Sequence, residues 1–371
     1  MRLPAILAIA LLLPALHASA QTDAAIAPTS RPPTSFPSAE FVLRDVKHKE
    51  QKGGVQLQGG QLTIVSGVGT PTAINSLSFS TDGKILVAGK DFGRAVLWDA
   101  QEKRFLRAID TSQGQVKSVA VSPDGRVVAT GGTHDGDSVK LWGVTSGKML
   151  WRFTQAKAEI IQLFFGAQGN RLIVSDNASN TYVLDATDGR LIYTLPSLHV
   201  VAVSSNGESM TTVDGAEFAE WDVSTKTKSQ STSLPTKFSM LLTANVSADR
   251  FAIFEKRVVK IGQFSTGQTV LELPDLVSKN FTWRPDFAAF SPEGAVAYLS
   301  IDSRLRVLDA HTGAVCSGPA MYSGAAALSP DGRWFAGAKD DSILSQERTD
   351  GVWIWRAKSL LQKCELDNAS P

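Results

Sequence analysis

Short stretches of alternating apolar and polar residues run along most of the chain, separated by small polar turns. The stretch Val116–Val121 (VKSVAV), for example, leads into the turn Ser122-Pro-Asp-Gly125, and the apolar run Val127–Thr130 follows. Runs of five or six residues rich in β-branched and aromatic side chains, separated by Gly, Asp and Ser turns, are typical of antiparallel strands joined by hairpins. The pattern predicts a chain built from short β-strands.

The Ser-x-x-Gly turn recurs at a regular spacing. Its seven copies end at Gly83, Gly125, Gly169, Gly207, Arg250, Gly294 and Gly332, which are 42, 44, 38, 43, 44 and 38 residues apart. A period in the forties marks stacked supersecondary units, and a lone four-stranded sheet would leave its apolar faces uncovered. Stacking the units around a ring covers those faces. The sequence therefore predicts an all-β fold, a seven-bladed β-propeller with four-stranded antiparallel blades.

The third position of the turn varies among its copies. It holds Asp, Asp, Gln, Asn, Asp, Glu and Asp in chain order. A metal ligand or a catalytic carboxylate would not tolerate Gln and Asn, whereas a type I turn would. Asp124 is therefore predicted to stabilise a turn.

Several units end their third strand in a Trp-Asp pair or a variant of it. The pairs Trp98-Asp99 and Trp221-Asp222 resemble the ending of WD40 repeats, and Leu184-Asp185 and Leu308-Asp309 match with Leu in the Trp position. The resemblance to WD40-repeat β-propellers covers roughly 300 residues and implies binding of a protein or peptide through one loop face. Because the chain has no Gly-His dipeptide, the His–Asp hydrogen-bond network of many WD40 blades is expected to be absent. Unit five has lost the Trp-Asp pair and is expected to be the least regular.

The two ends of the chain differ from the repeats. Residues 1–20 combine an early Arg, an apolar run and the ending Ala18-Ser-Ala20, which is typical of an export signal. A retained membrane anchor is the alternative, but the apolar run is shorter than a bilayer requires. Residues 21–50 are rich in Pro, Ser and Thr and are predicted to be a tether. The propeller is predicted over 55–366 and a tail over 367–371. The protein is therefore expected to be periplasmic or secreted, without membrane insertion after signal cleavage.

Net charge excludes one class of partner. The chain has 37 basic and 36 acidic residues, a formal net charge of +1, and it lacks the basic face that nucleic-acid binding requires. With 43% hydrophobic residues it can fill a core. A folded domain without a nucleic-acid partner is expected.

Ring closure and the pairing of the two cysteines are left open by the sequence. The outer strand of the last blade could come from the N-terminal Gln61–Val65, which is favoured, or from the C-terminal Leu360–Cys364. Outer strands of adjacent blades splay apart, so a bridge between Cys316 and Cys364 is not expected.

Motifs that would indicate catalysis are incomplete. The histidines after the signal lack zinc-binding spacing, and Gly143–Lys148 falls short of a phosphate-binding loop. His134-Asp-Gly-Asp137 resembles the start of a calcium loop, but a strand follows at once. No catalytic residue, metal or cofactor is predicted. Gly147-Lys-x-x-Trp151 resembles a blade-docking segment of quinone-dependent dehydrogenases, so a lactonase-like or quinoprotein-like propeller enzyme is the alternative. Lectin-like carbohydrate binding is a third interpretation.

The loops that exceed the minimum length are the predicted binding surface, because long loops on a rigid scaffold commonly carry function. They are the unit-two loop Thr133–Asp137, the connection Ser278–Pro285 and the unit-seven loop Asp340–Gly351. The candidate partner-binding residues are His134, Asp135, Asp137, Trp283, Arg284, Asp340, Asp341, Glu347 and Arg348. The predicted function is an exported, non-catalytic protein-binding scaffold.

Overall fold

Each repeat unit forms a sheet, as the spacing predicts. The computed structural model describes residues 39–43, 55–58, 61–64, 74–133, 138–166, 168–195, 199–203, 208–214, 217–233, 240–245, 248–276, 287–301, 304–320, 325–338 and 351–360. Three short strands precede the repeats: β1 (Phe41–Leu43), β2 (Val55–Gln58) and β3 (Gln61–Ile64).

Six blades are four-stranded antiparallel meanders in which sheet order follows chain order. Blades one to three are β4–β7 (Ile74–Phe79, Ile85–Lys90, Arg94–Asp99, Arg104–Asp110), β8–β11 (Val116–Val121, Val127–Gly132, Val139–Gly143, Met149–Phe153) and β12–β15 (Ile160–Phe165, Arg171–Asp176, Thr181–Asp185, Leu191–Leu195). Blades four to six are β16–β19 (His199–Val203, Ser209–Asp214, Glu217–Asp222, Lys228–Ser233), β20–β23 (Met240–Asn245, Arg250–Glu255, Val258–Gly262, Thr269–Leu273) and β24–β27 (Phe287–Phe290, Val296–Ile301, Arg304–Asp309, Val315–Ala320). Blade five has all four strands, so the expectation that it would be the least regular is wrong.

Blade seven closes the ring with a strand from the N-terminal side. Its own strands are β28 (Ala326–Leu328), β29 (Trp334–Ala338) and β30 (Val352–Arg356), and β1 pairs antiparallel with β30. The Glu40 N–H donates to Ile354 O over 2.7 Å, and the Glu40 carboxylate accepts from the Arg356 guanidinium at 2.8 and 3.2 Å.

The closing strand corrects two expectations from the sequence. The N-terminal side closes the ring, but the expected strand Gln61–Val65 was wrong, because β3 pairs parallel with the outer edge of β1. The range 21–50, expected to be a tether, therefore supplies a strand of the propeller.

The core lies between the blades. Seven clusters of buried hydrophobic side chains occupy the seven seams, and each draws on two adjacent blades. The cluster between blades four and five, for example, is aromatic, with Phe218 5.6 Å from Phe251 and 5.7 Å from Phe264 between ring centroids. Each apolar sheet face is thus covered by the next blade.

One position of the outer strand joins each of several blades to the next. Trp151 Nε1 donates to Ala186 O over 2.9 Å, and Tyr193 Oη donates to Val223 O over 2.8 Å. Each acceptor follows the third strand of the neighbouring blade. The fourth-strand residues that pair with the third strand of their own blade at this equivalent position are Arg107, Trp151, Tyr193, Leu271 and Cys316. The Gly147-Lys-x-x-Trp151 segment therefore docks blade two onto blade three.

Cys316 holds this position in blade six and is disulfide-bonded. The one other cysteine of the sequence is Cys364, outside the described residues, so the expectation that the two do not pair is wrong. The chain turns after β30 instead of continuing as an outer strand, and Ala357 and Leu360 are buried in one cluster with Cys316.

The antiparallel meander gives the ring two faces. Connections between the second and third strands of a blade, and between successive blades, lie on what we call the loop face. Connections between the first and second and between the third and fourth strands lie on the opposite turn face.

Candidate functional site

The blade-two turn that begins at Ser122 is built by its own hydrogen bonds. Ser122 Oγ donates to Asp124 Oδ1 over 2.6 Å, while the Arg126 and Val127 N–H groups donate to Asp124 Oδ1 and Ser122 Oγ. Gly125 has φ +69°, a left-handed conformation that Gly adopts without a steric penalty. The Ser122 hydroxyl lowers the pKa of Asp124 by hydrogen bonding to its carboxylate. The prediction that Asp124 stabilises a turn is confirmed.

The nine predicted partner-binding residues lie outside the described residues. They fall in the ranges 134–137, 277–286 and 339–350. The strands that flank these ranges are β9 and β10, β23 and β24, and β29 and β30, so all three connections belong to the loop face. Their role in binding stays a prediction.

A residue that the sequence did not single out, Phe92, projects from the loop face. Phe92 and Gly93 form the tip of the β5–β6 hairpin, where Lys90 pairs with Arg94. Phe92 is 78% exposed and has φ +57°. The left-handed region costs an L-residue roughly 1–2 kcal/mol, and hairpin turns of this kind favour Asn, Asp or Gly there. An exposed Phe in this conformation is an outlier that packing does not explain.

The Phe92 turn is held by the connection between blades one and two. Both the N–H and the Oγ1 of Thr111 donate to Gly93 O over 2.7 Å. Thr133 Oγ1 in turn donates to Gln113 O over 3.0 Å. Thr133 immediately precedes His134, so the start of the predicted unit-two binding loop lies beside the connection that supports Phe92.

A buried hydrogen-bond network lies beneath this connection. Trp142 Nε1 donates to Thr130 Oγ1 over 2.9 Å, and Thr130 Oγ1 donates to Gln113 Oε1 over 2.6 Å. Gln113 Nε2 donates to the carbonyl oxygens of Thr130 and Ser138, both over 3.2 Å. Lys140 Nζ donates to Thr111 O over 2.7 Å. Blade two thus has an internal hydrogen-bond network built on Gln113, Thr130 and Trp142, although the sequence has no Gly-His dipeptide.

The same part of the chain matches a protein-family model. The model, described as WD domain, G-beta repeat, matches residues 103–143, which include Gln113, Thr130 and Trp142. The chain is a WD40-like β-propeller. The resemblance predicted from the Trp-Asp pairs is confirmed, together with the seven-bladed fold.

The WD40-like propeller is similar to segments of three curated proteins. It is 24% identical over 139 residues to WD repeat-containing protein 26 homolog from Drosophila melanogaster, covering 36% of this chain and 22% of that protein. It is 26% identical over 107 residues to eukaryotic translation initiation factor 3 subunit I from Scheffersomyces stipitis, covering 29% of each. It is 26% identical over 102 residues to periodic tryptophan protein 2 homolog from Dictyostelium discoideum, covering 27% and 11%. The chain thus spans less than a third of each relative's length.

A cavity of about 540 Å³ lies on the axis of the WD40-like propeller, toward the turn face. It is lined mainly by first strands, and its larger side chains include Leu77, Phe79, Phe164, Phe287, Phe290 and Pro330. Ser, Thr and Asn supply its polar atoms, and none of the described lining residues carries an ionisable side chain. General acid–base chemistry needs such groups.

Two further features are absent from the described residues. No group of three or more His, Cys, Asp or Glu side chains gathers there in a way that would hold a metal ion. No helix in the described ranges has the length and apolar character that crossing a bilayer requires.

Proposed function

We propose that this WD40-like propeller is an exported, non-catalytic scaffold that binds a protein or peptide through its loop face. The observation that carries the proposal is Phe92, an exposed aromatic residue fixed in a left-handed turn. Aromatic side chains dominate binding energy at protein interfaces, and a rigid anchor loses little entropy when it is buried. Phe92 therefore serves as the central contact.

The surroundings of Phe92 support a larger binding surface. Thr133 leads into His134, Asp135 and Asp137, and the other two predicted loops leave the same face of the ring. Trp283 and Arg284 have the composition of interface hot spots. A partner that covers Phe92 is proposed to reach these loops as well.

The axial cavity supports binding over catalysis, because its described lining offers no acid, base or nucleophile other than hydroxyl groups. The alternative enzyme reading rested on the Gly147–Trp151 segment. Trp151 docks onto a backbone carbonyl of blade three, which gives that segment a structural role. One relative is by its name a subunit of an initiation factor, which fits a scaffold.

Export is proposed on two grounds. Residues 1–20 have the pattern of a cleavable signal. Cys316 is disulfide-bonded, and disulfides persist mainly in oxidising compartments such as the periplasm and the extracellular space. Cell fractionation with N-terminal sequencing tests this directly. A mature chain that begins near Gln21 outside the cytoplasm is expected, and a reduced, cytoplasmic chain that retains Met1 would contradict export.

Crosslinked affinity capture from the native envelope or medium tests the binding face. The comparison uses the wild type, Phe92→Ala and a matched control, Leu150→Ala, which removes a 54% exposed apolar side chain from the outer strand β11. The wild type and Leu150→Ala are expected to capture the same partner, with at least tenfold less captured by Phe92→Ala. A triple variant, Trp283→Ala with Asp340→Ala and Asp341→Ala, tests the predicted loops separately. Equal capture by Phe92→Ala, or a stoichiometric quinone or metal in the purified protein, would overturn the proposal.

A further inference from the structure

The axial cavity has an uncharged wall. Its volume of about 540 Å³ lies within the range of small-molecule sites in proteins, roughly 300–1,000 Å³. Charged residues make up 20% of the whole chain, whereas none of the nineteen described lining residues is charged. An ion that entered the cavity would lose its water and gain no counter-charge from this wall. The cavity therefore favours a neutral occupant.

Most of the apolar wall comes from blades six, seven and one. Leu77 and Phe79 belong to blade one, Phe290 to blade six and Leu328 to blade seven. Phe79 and Phe290 are only 6% and 7% exposed, so both rings are held by packing in the neighbouring seams. An apolar molecule that covers such a wall removes apolar surface from water, which favours binding. This side of the cavity fits a hydrocarbon body.

The side formed by blades four and five carries hydroxyl groups. Thr211 of β17 and Thr243 of β20 both line the cavity. Thr211 is only 2% exposed, yet its hydroxyl makes no hydrogen bond with any of the described residues. Its neighbour Thr212, by contrast, accepts from Trp221 Nε1 over 2.8 Å and lies outside the described lining. Because buried hydroxyl groups are paired in the large majority of cases, the Thr211 hydroxyl is available to a group that enters the cavity.

We infer that the axial cavity binds a small neutral molecule with an apolar body and one hydroxyl or carbonyl group. The apolar body lies against Phe79, Phe290 and Leu328. The hydroxyl or carbonyl group hydrogen-bonds to Thr211 across the cavity. The cavity lies toward the turn face, whereas Phe92 projects from the loop face, so the inference stands whether or not the loop face binds a partner.

Equilibrium dialysis of the full chain at neutral pH with three probes of similar shape tests the inference. The probes are 2-naphthol, which is neutral and has one hydroxyl, naphthalene, which lacks the hydroxyl, and 2-naphthoate, which is charged. 2-Naphthol is expected to bind about fivefold more tightly than naphthalene, because its hydroxyl pairs with Thr211. It is expected to bind about tenfold more tightly than 2-naphthoate, because the wall offers the carboxylate no counter-charge.

Amino-acid substitutions locate the site. Thr211→Val keeps the shape of the side chain but removes the hydroxyl, so the preference for 2-naphthol over naphthalene is expected to disappear while naphthalene binds as before. The matched control is Thr194→Val, the same change at an exposed position of β15 outside the described lining, and it should keep the preference. Ala289→Phe adds a ring to the cavity wall and should weaken binding of both neutral probes by about tenfold or more. Thermal unfolding shows whether each variant is folded.

Four results would each overturn the inference. They are 2-naphthol binding that does not saturate, 2-naphthoate binding as tight as that of 2-naphthol, a preference for 2-naphthol that survives in Thr211→Val, and unchanged binding in a folded Ala289→Phe. Phe92→Ala is expected to bind all three probes as the wild type does. A failure at the axial cavity is thereby distinguished from a failure of the loop-face proposal.

Discussion

The indole Nε1 of Trp151 donates a 2.9 Å hydrogen bond to the carbonyl oxygen of Ala186, and the two residues belong to adjacent blades. The ring of Trp151 lies so close to Gly189 that a Cβ atom there would come within 2.7 Å of it. Trp151 is only 9% exposed, so it fills the outer end of the seam between blades two and three.

Replacing Trp151 should therefore weaken that seam. Trp151→Ala is expected to lower the free energy of unfolding by about 3–5 kcal/mol, since a large buried side chain leaves a cavity. Trp151→Phe keeps most of the volume but leaves Ala186 O without its donor, and about 1–2 kcal/mol is expected. Urea denaturation measures both. Met149→Ala, on the same strand but 46% exposed, serves as the control and should change little; a loss as large as that of Trp151→Ala would contradict the docking role.

The disulfide of Cys316 is expected to stabilise the closed ring. A bridge to Cys364 closes a loop that contains the three strands β28, β29 and β30 of blade seven. A bridge of this kind contributes roughly 2–4 kcal/mol. Cys316→Ala and Cys364→Ala should each lose about this amount in thermal or urea unfolding. The double variant should lose no more than about the larger single loss, because both substitutions remove the same bond. Losses of stability that add up in the double variant would contradict this account. So would a wild-type protein whose stability does not change when the disulfide is reduced.

The repeats made the fold predictable, whereas its closure was not. The turn motif and the alternating strands are local signals that recur seven times. A unit whose own pattern is unclear can therefore be assigned by comparison with the other six. The closing strand β1 has three residues and no repeat to support it. Its anchor is the contact between Glu40 and Arg356, which are 316 positions apart in the sequence. The disulfide was missed for the same reason, since it depends on the turn of the chain at Ala357–Leu360.

For the candidate site, the sequence predicted the face of the ring but not the residue that projects from it. Loop length pointed to the loop face but not to Phe92, because Asp91-Phe-Gly93 reads as an ordinary hairpin tip. The signal was present in the sequence, as Phe occupies a position where Asn is usual. Recognising it required knowledge that φ is positive there, which depends on the register between Lys90 and Arg94.

The acidic groups of the turns predict a dependence of stability on pH. A hydrogen bond from the Ser224 hydroxyl lowers the pKa of Asp222 to about 2, below its ordinary value. A carboxyl with a lowered folded-state pKa contributes stability above its unfolded pKa of about 4, and that contribution is lost as the pH falls toward 2. NMR titration of the carboxyl carbon should show this midpoint in the wild type and a higher one in Ser224→Ala. An Asp222 midpoint near 4 in the wild type would contradict the assignment.

The blade-two turn should tolerate a change at Asp124 but not at Gly125. Asn at position 124 can still accept the Ser122 hydroxyl, so Asp124→Asn is expected to change the unfolding free energy by less than about 1 kcal/mol. Gly125 has φ +69°, and a β-branched residue is strained there by about 1–3 kcal/mol. Gly125→Val should therefore destabilise the protein by at least that amount in urea denaturation. Equal stability of the two variants would show that the turn does not require a left-handed residue.

Replacing Phe92 should raise the stability of the protein and weaken its binding to the partner. Phe92→Asn places a residue that tolerates the left-handed region at φ +57°, and because the Phe92 ring is exposed, little packing is lost. A gain of about 1 kcal/mol in the unfolding free energy is expected. Leu150→Asn, the matched change of an exposed apolar residue on a regular strand, should give no such gain.

Capture of the partner should fall at least tenfold for Phe92→Asn and stay unchanged for Leu150→Asn. If Phe92→Asn were both no more stable and fully competent in capture, the strained turn would have no link to binding. A gain in stability together with a loss of partner is the combination that only a side chain retained for recognition produces.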